Sequence, residues 1–167
     1  TVKEFIVRGE TEAIPKPVNP EEATPLCYAK DNRYEADGVR LDIPKGLLAK
    51  NSWLQPRRIN AASSFSMGYS FSKASFPLFH YARISIKPAG VVRNPKKLYI
   101  AMRTGIGAAV PASFCGGEYA DGWVTGRLRE LSNVYYIASD ETSPTITQMN
   151  LNPHHLFFKI TDTGSGL

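Results

Sequence analysis

Apolar and polar residues alternate along much of the chain after residue 38. Val39, Leu41 and Ile43 are separated by Arg40 and Asp42, the period of two expected of a strand with one buried face. Pro44-Lys45-Gly46 stops that run, and Leu47 to Lys50 reads as one turn of helix. Phe65, Met67, Tyr69 and Phe71 alternate with serine and glycine and predict a second strand. Ala82, Ile84 and Ile86 alternate with Arg83, Ser85 and Lys87 and predict a third, closed by Pro88 and Gly90. Leu98 to Met102 is nearly continuous apolar sequence, as in a central strand. Trp123 to Leu128 resumes the alternation, and Val134 to Ala138 is again apolar.

The ends of the chain differ from this middle. Val2, Phe5 and Val7 suit a strand, and three prolines from Pro15 to Pro20 then predict an extended connector. Glu141-Thr142-Ser143-Pro144 has the composition of a hinge. Thr145 to Met149 and Leu156 to Ile160 follow as two more strands, too few to make a domain alone. No window of a dozen residues keeps a helical apolar period. The expected architecture is therefore all-β: an antiparallel, immunoglobulin-like β-sandwich over residues 1–140, with residues 141–167 forming a hinge and the start of a second, incomplete immunoglobulin-like β-sandwich.

The chain has 167 residues, 43% of them hydrophobic and 21% charged, which excludes wholesale disorder. No apolar run approaches the ~18 residues of a membrane span, and the N-terminus has no signal-peptide pattern. The net charge is +5, but basic residues are scattered, and the tightest clusters are the pairs Arg57-Arg58 and Lys96-Lys97. A nucleic-acid binder would concentrate that charge in a stripe, so no nucleic-acid partner is expected. Cys27 and Cys115 lie far apart in sequence and form no CxxC pair. Two buried thiols and a disulfide both fit, the latter worth roughly 4 kcal/mol in the chain-entropy model.

Candidate chemistry is sparse. His80, His154 and His155 are the three histidines, and adjacent residues of a strand point to opposite faces, so the last two are not expected to share a metal ion. Gly-x-Ser-x-Gly is absent, and Gly105-Ile106-Gly107 lacks the helix and third glycine of a dinucleotide site. Glu118, Asp121 and Glu130 read as surface carboxylates. The aromatics from Phe65 to Phe79, with Trp53 and Trp123, read first as core. No catalytic residue, metal or cofactor is expected. The alternative is a small hydrolase with Cys115, Cys27 or a serine as nucleophile and His80 as base.

One segment is more specific. Gly116-Gly117-Glu118-Tyr119-Ala120-Asp121-Gly122-Trp123-Val124-Thr125-Gly126-Arg127-Leu128-Arg129, with Asp140, Pro144, Ile146 and Asn150 and the ending from Phe158 to Gly166, resembles the region after the catalytic domain in envelope-associated lysostaphin/LytM-type zinc metallopeptidases. Val39 to Gly46 and Tyr81 to Pro88 fit earlier parts of that region. The resemblance implies a β-sandwich followed by an immunoglobulin-like domain opening with Pro-x-Ile, here Pro144 to Ile146. The family's zinc ligands, His-x-x-x-Asp and His-x-His, have no counterpart. The chain is thus expected to be a non-catalytic accessory or spacer module of an exported periplasmic or envelope protein, associated with a peptidoglycan-hydrolysing metallopeptidase. Its expected partners are neighbouring domains of the same protein and cell-wall polymer, and an adhesin-like surface module is a further alternative. Independently of the resemblance, Asp121-Gly122 is a hairpin signal. Trp123 is expected to anchor the core, and Arg127 and Arg129 to share the solvent face. These three residues are the candidates for partner binding.

Overall fold

A computed structural model describes residues 23–60, 65–104, 112–152 and 155–162. In chain order its strands are β1 (Thr24–Leu26), β2 (Asn32–Ala36), β3 (Val39–Ile43), β4 (Ser52–Leu54), β5 (Arg57–Ile59), β6 (Gly68–Ser70) and β7 (Pro77–Ile86). A 3-10 turn at Pro95–Lys97 leads to β8 (Leu98–Arg103), β9 (Ser113–Phe114), β10 (Glu118–Ala120), β11 (Trp123–Glu130) and β12 (Val134–Ser139). Strands β13 (Thr145–Asn152) and β14 (His155–Thr161) follow. One five-stranded sheet runs β10-β11-β7-β3-β2 and the other β5-β6-β12-β8-β9, with β1 and β4 as a small separate pair. All pairings are antiparallel. The fold is the all-β sandwich that the alternating pattern implies.

The period of two explains the core. Val39, Leu41 and Ile43 of β3, Ile84 and Ile86 of β7, and Val124 and Leu128 of β11 point inward from the first sheet. Ile100, Tyr135 and Ile137 meet them from the second, and Phe71 and Leu54 belong to the same buried cluster. Each such side chain contributes about 1.5–3 kcal/mol of burial free energy. Tyr135 is almost wholly buried, and its hydroxyl donates to the Glu130 carbonyl at 2.6 Å, which removes the cost of hiding an unpaired polar atom.

Two Asp-Gly turns set the hairpins. Asp37 and Gly38 have φ of 51° and 79°, and Asp121 and Gly122 have 51° and 80°. Both central residues are left-handed, as a two-residue turn between right-twisted strands requires. The adjacent glycines Gly116-Gly117 read in the sequence as a turn, but the structure makes them a crossing between sheets. There the chain passes from β9 in the second sheet to β10 in the first. The Cys115 N–H donates to the Ile100 carbonyl, the Ile100 N–H to Gly116, and the Arg127 N–H to Cys115, at 2.8, 2.7 and 2.6 Å. This ladder joins the two sheets along one side. It also explains the glycines: a Cβ on Gly117 would lie 2.7 Å from the Leu98 carbonyl oxygen, and one on Gly126 would lie 2.6 Å from that of Cys115.

Several expectations are corrected. Residues 47–50 form no helix. Pro44 and Gly46, the latter at φ 82°, make a tight turn, and Leu48 drops into the core. Within Phe65 to Phe71 only Gly68–Ser70 is strand, because Phe71 donates to Leu131 and Phe65 accepts from Ala89 outside the ladder. Phe71 and Tyr69 are buried, whereas Phe65 and Phe79 are exposed. Strand β8 lies second from the edge rather than centrally. Trp53 is half-buried, not core. Cys27 and Cys115 are both free and partly buried, so no disulfide links them. The strand at Thr1 to Val7, the proline-rich connector, Gly105-Ile106-Gly107, His154 and the ending after residue 162 lie outside the described residues. Strands β13 and β14 pair as a hairpin with a bulge between Gln148 and Asn150.

Candidate partner-binding face

The outer face of the first sheet is set by the same alternation that builds the core. Since Val124, Gly126 and Leu128 point inward, Trp123, Thr125, Arg127 and Arg129 point outward from β11. Trp123 is therefore no core anchor. It lies half-buried on the outer face with the Arg40 guanidinium 3.9 Å from its ring centroid, a cation–π pair. Arg40 in turn holds Glu35 at 2.9 Å.

Register then assembles charges that sequence order keeps apart. Arg127 pairs directly with Arg83 on β7, and Arg83 pairs with Asp42 on β3. Asp42 offsets part of the Arg83 charge from one side, while the like-charged Arg83–Arg127 pair on the other repels, a cost that an anion beside Arg127 would relieve. Among the described residues, ion pairs join Arg33 to Glu35 and Asp42, Arg40 to Glu35, and Lys97 to Glu141. Arg83, Arg127 and Arg129 are in none of them. Arg129 donates to the Leu78 and Phe79 carbonyls at 3.3 and 3.2 Å and lies 5.9 Å from the Tyr81 ring centroid. Neutral carbonyls orient its guanidinium without cancelling its charge.

These arginines border an open hollow of about 1280 Å³ that also reaches His80, Cys115, Met102 and Tyr135. Three carboxylates line it as well. Asp42 is 3.7 Å from Arg33, and Glu118 on β10 stands opposite Thr125, one same-face row from Arg127. Glu130 accepts the Phe76 and Ser132 N–H groups at 2.6 and 3.0 Å, and the Ser132 and Ser75 hydroxyls at 2.8 and 2.9 Å. Burial acts to raise the Glu130 pKa, but those donors together hold it below the ordinary carboxylate value.

The hollow brings His80 and Cys115 to one concavity without making a nucleophile of the thiol. Burial pushes Cys115 up to about 11, so it stays protonated at neutral pH. Its sulfur faces the Ser113 carbonyl at 3.9 Å, and the His80 ring lies edge-on to Tyr81 at 5.6 Å. Cys27 lies elsewhere, its N–H donating to Asn32. His155 is exposed beside Phe157. Among the described residues no group of three His, Cys, Asp or Glu side chains is placed to hold a metal ion.

Comparison with known proteins bears on residues 23–140, where the profile of the Zu5-like domain matches. The chain belongs to the Zu5-like domain family. Neither the curated proteins nor the solved structures contain a match. The matched Zu5-like region holds both five-stranded sheets and all three arginines of the outer face. Of the residues singled out from sequence, the fold places Trp123, Arg127 and Arg129 on one face, Trp123 about two rows from the other arginine pair. Sequence reasoning missed Arg83 and Arg40. Arg83 stands at a polar position of an alternating strand, and nothing local shows that it faces Arg127.

Proposed function

We propose that this Zu5-like domain is a non-catalytic accessory module that holds an anionic partner against the face formed by Arg83, Arg127 and Arg129. The directly opposed pair Arg83 and Arg127, with no carboxylate of the described residues in ion-pair contact, carries this reading. Guanidinium groups fixed on a rigid sheet recognise carboxylates or phosphates in bidentate fashion. The setting in an exported envelope protein that works beside a peptidoglycan-hydrolysing metallopeptidase rests on the resemblance of residues 116–129. The two-sheet crossing supplies an independent structural reason for the glycines of that segment. Ile146, Leu156, Phe158 and Ile160 are all exposed on the β13–β14 hairpin, which supports reading it as the opening of a second β-domain, since a lone two-stranded ribbon is marginal in water.

The test is salt-dependent retention of the full chain on purified peptidoglycan and on a polyglutamate resin. The wild type is expected to be retained on at least one, and to elute as salt is raised. A variant combining Arg83→Ser, Arg127→Ser and Arg129→Ser, with an unchanged unfolding midpoint, is expected to flow through. Equal retention of the folded variant, or flow-through of the wild type on both matrices, refutes the reading.

A further inference from the structure

The arginine face borders a second feature, the main-chain edge of β11. Strand β10 covers that edge only from Trp123 to Thr125. At Arg127 the cover is a single bond, the N–H donating to the Cys115 carbonyl, after which the covering chain turns away into β9 of the other sheet. Alternation along β11 aims the N–H and C=O of Arg129 to the same side as those of Arg127, away from β7. The bulge opposite, where Leu128 pairs with Ala82 and Glu130 with Pro77, has its extra residues on β7 and leaves β11 regular. The two sheets fork at this point, and the open hollow occupies the fork.

Resting on the anionic-partner reading, we infer that an extended acidic segment of another polypeptide enters this fork and pairs with β11 at the Arg127 carbonyl and at Arg129 as an added strand. The main chain supplies pairing groups, and the side chains supply selection. A strand laid about 4.8 Å from β11 places every second side chain on the outer face beside Arg127 and Arg129. Carboxylates at those positions would neutralise both guanidinium groups and relieve the repulsion with Arg83. The intervening side chains would face the inner wall of the hollow, where the partly buried Met102 and Cys115 are apolar. The favoured partner thus alternates acidic with small apolar residues. A polysaccharide or polyphosphate would satisfy the arginines but offers no peptide groups to the edge.

The probe is an acetylated, amidated peptide in which glutamate alternates with valine or threonine, titrated into the full chain. Binding is expected to slow amide hydrogen exchange at Arg129. Arg127→Ser and Arg129→Ser are each expected to weaken binding roughly tenfold, the value of one charge-assisted pair. Two N-methylated versions of the peptide, blocked at the even or at the odd positions, separate the two ideas. One version is expected to lose binding at least tenfold while the other keeps it. If both bind like the parent and Arg129 exchange is unchanged, strand pairing is refuted while anion binding stands. If the parent peptide fails and polyglutamate retention fails too, the anionic-partner reading falls with it.

Discussion

Removing the Glu130 carboxylate tests how the end of β11, and with it Arg129, is held. Glu130→Ala deletes the acceptor for four donors, two of them the main-chain N–H groups of half-buried Phe76 and Ser132. Each orphaned N–H costs about 1–2 kcal/mol where water reaches it only partly, and the two hydroxyls, freer to turn to solvent, add a few tenths. The expected loss is about 2–4 kcal/mol, or a melting temperature lower by about 6–14 °C for a domain of this size. Glu130→Gln keeps one acceptor oxygen but no charge and should lose about half as much. Stability also depends on pH with a definite sign. The folded carboxyl titrates below its ordinary value, so its contribution is full above the unfolded value and disappears as pH falls through the folded one. Urea unfolding of wild type and Glu130→Gln from pH 7 down to pH 3 should therefore show a gap that narrows as acidity rises through the carboxylate range. A gap of zero at pH 7, or one that stays constant down to pH 3, would refute the reasoning.

Three further outcomes are expected. Gly126→Ala should destabilise by about 2–4 kcal/mol, since its Cβ meets the Cys115 carbonyl oxygen at 2.6 Å and Ile100 Cβ at 2.9 Å, whereas Gly122→Ala meets nothing within 4 Å and should cost only the 1–2 kcal/mol or so of left-handed strain; thermal melts of the two compare clash with strain. Trp123→Ala should cost less than about 2 kcal/mol, because it loses a half-buried ring and a cation–π pair rather than a core side chain, and chemical denaturation showing a core-sized loss of 4 kcal/mol would contradict its outer placement. In a Cys27→Ser background the remaining thiol should react with iodoacetamide far more slowly than free cysteine at pH 8 and accelerate toward pH 11, because burial raises Cys115.

The resemblance-bearing glycines show how one segment carries two kinds of information. Asp121-Gly122 was legible as a hairpin because positive φ is a local demand. Gly116, Gly117 and Gly126 were not legible as a crossing, because the atoms that crowd a side chain there belong to Gly126 for the first, Leu98 and Tyr99 for the second, and Cys115 and Ile100 for the third, all on another strand or distant along the chain. The short strands β1, β4, β5, β9 and β10 left no readable period, since two or three residues cannot display one.

What the amino-acid order determined alone was the all-β class and the longer strands, the inward residues of β3, β7 and β11, and the shared face of Arg127 and Arg129, because side-chain direction in a strand depends only on position parity. Parity also placed Trp123 with those arginines, but its size suggested a core role that the outer face overrules. Register, the sheet crossing at Cys115 and the alignment of Arg83 against Arg127 were decided only by tertiary structure. They depend on which strand lies beside which, and that choice is made by the whole buried core rather than by any one segment.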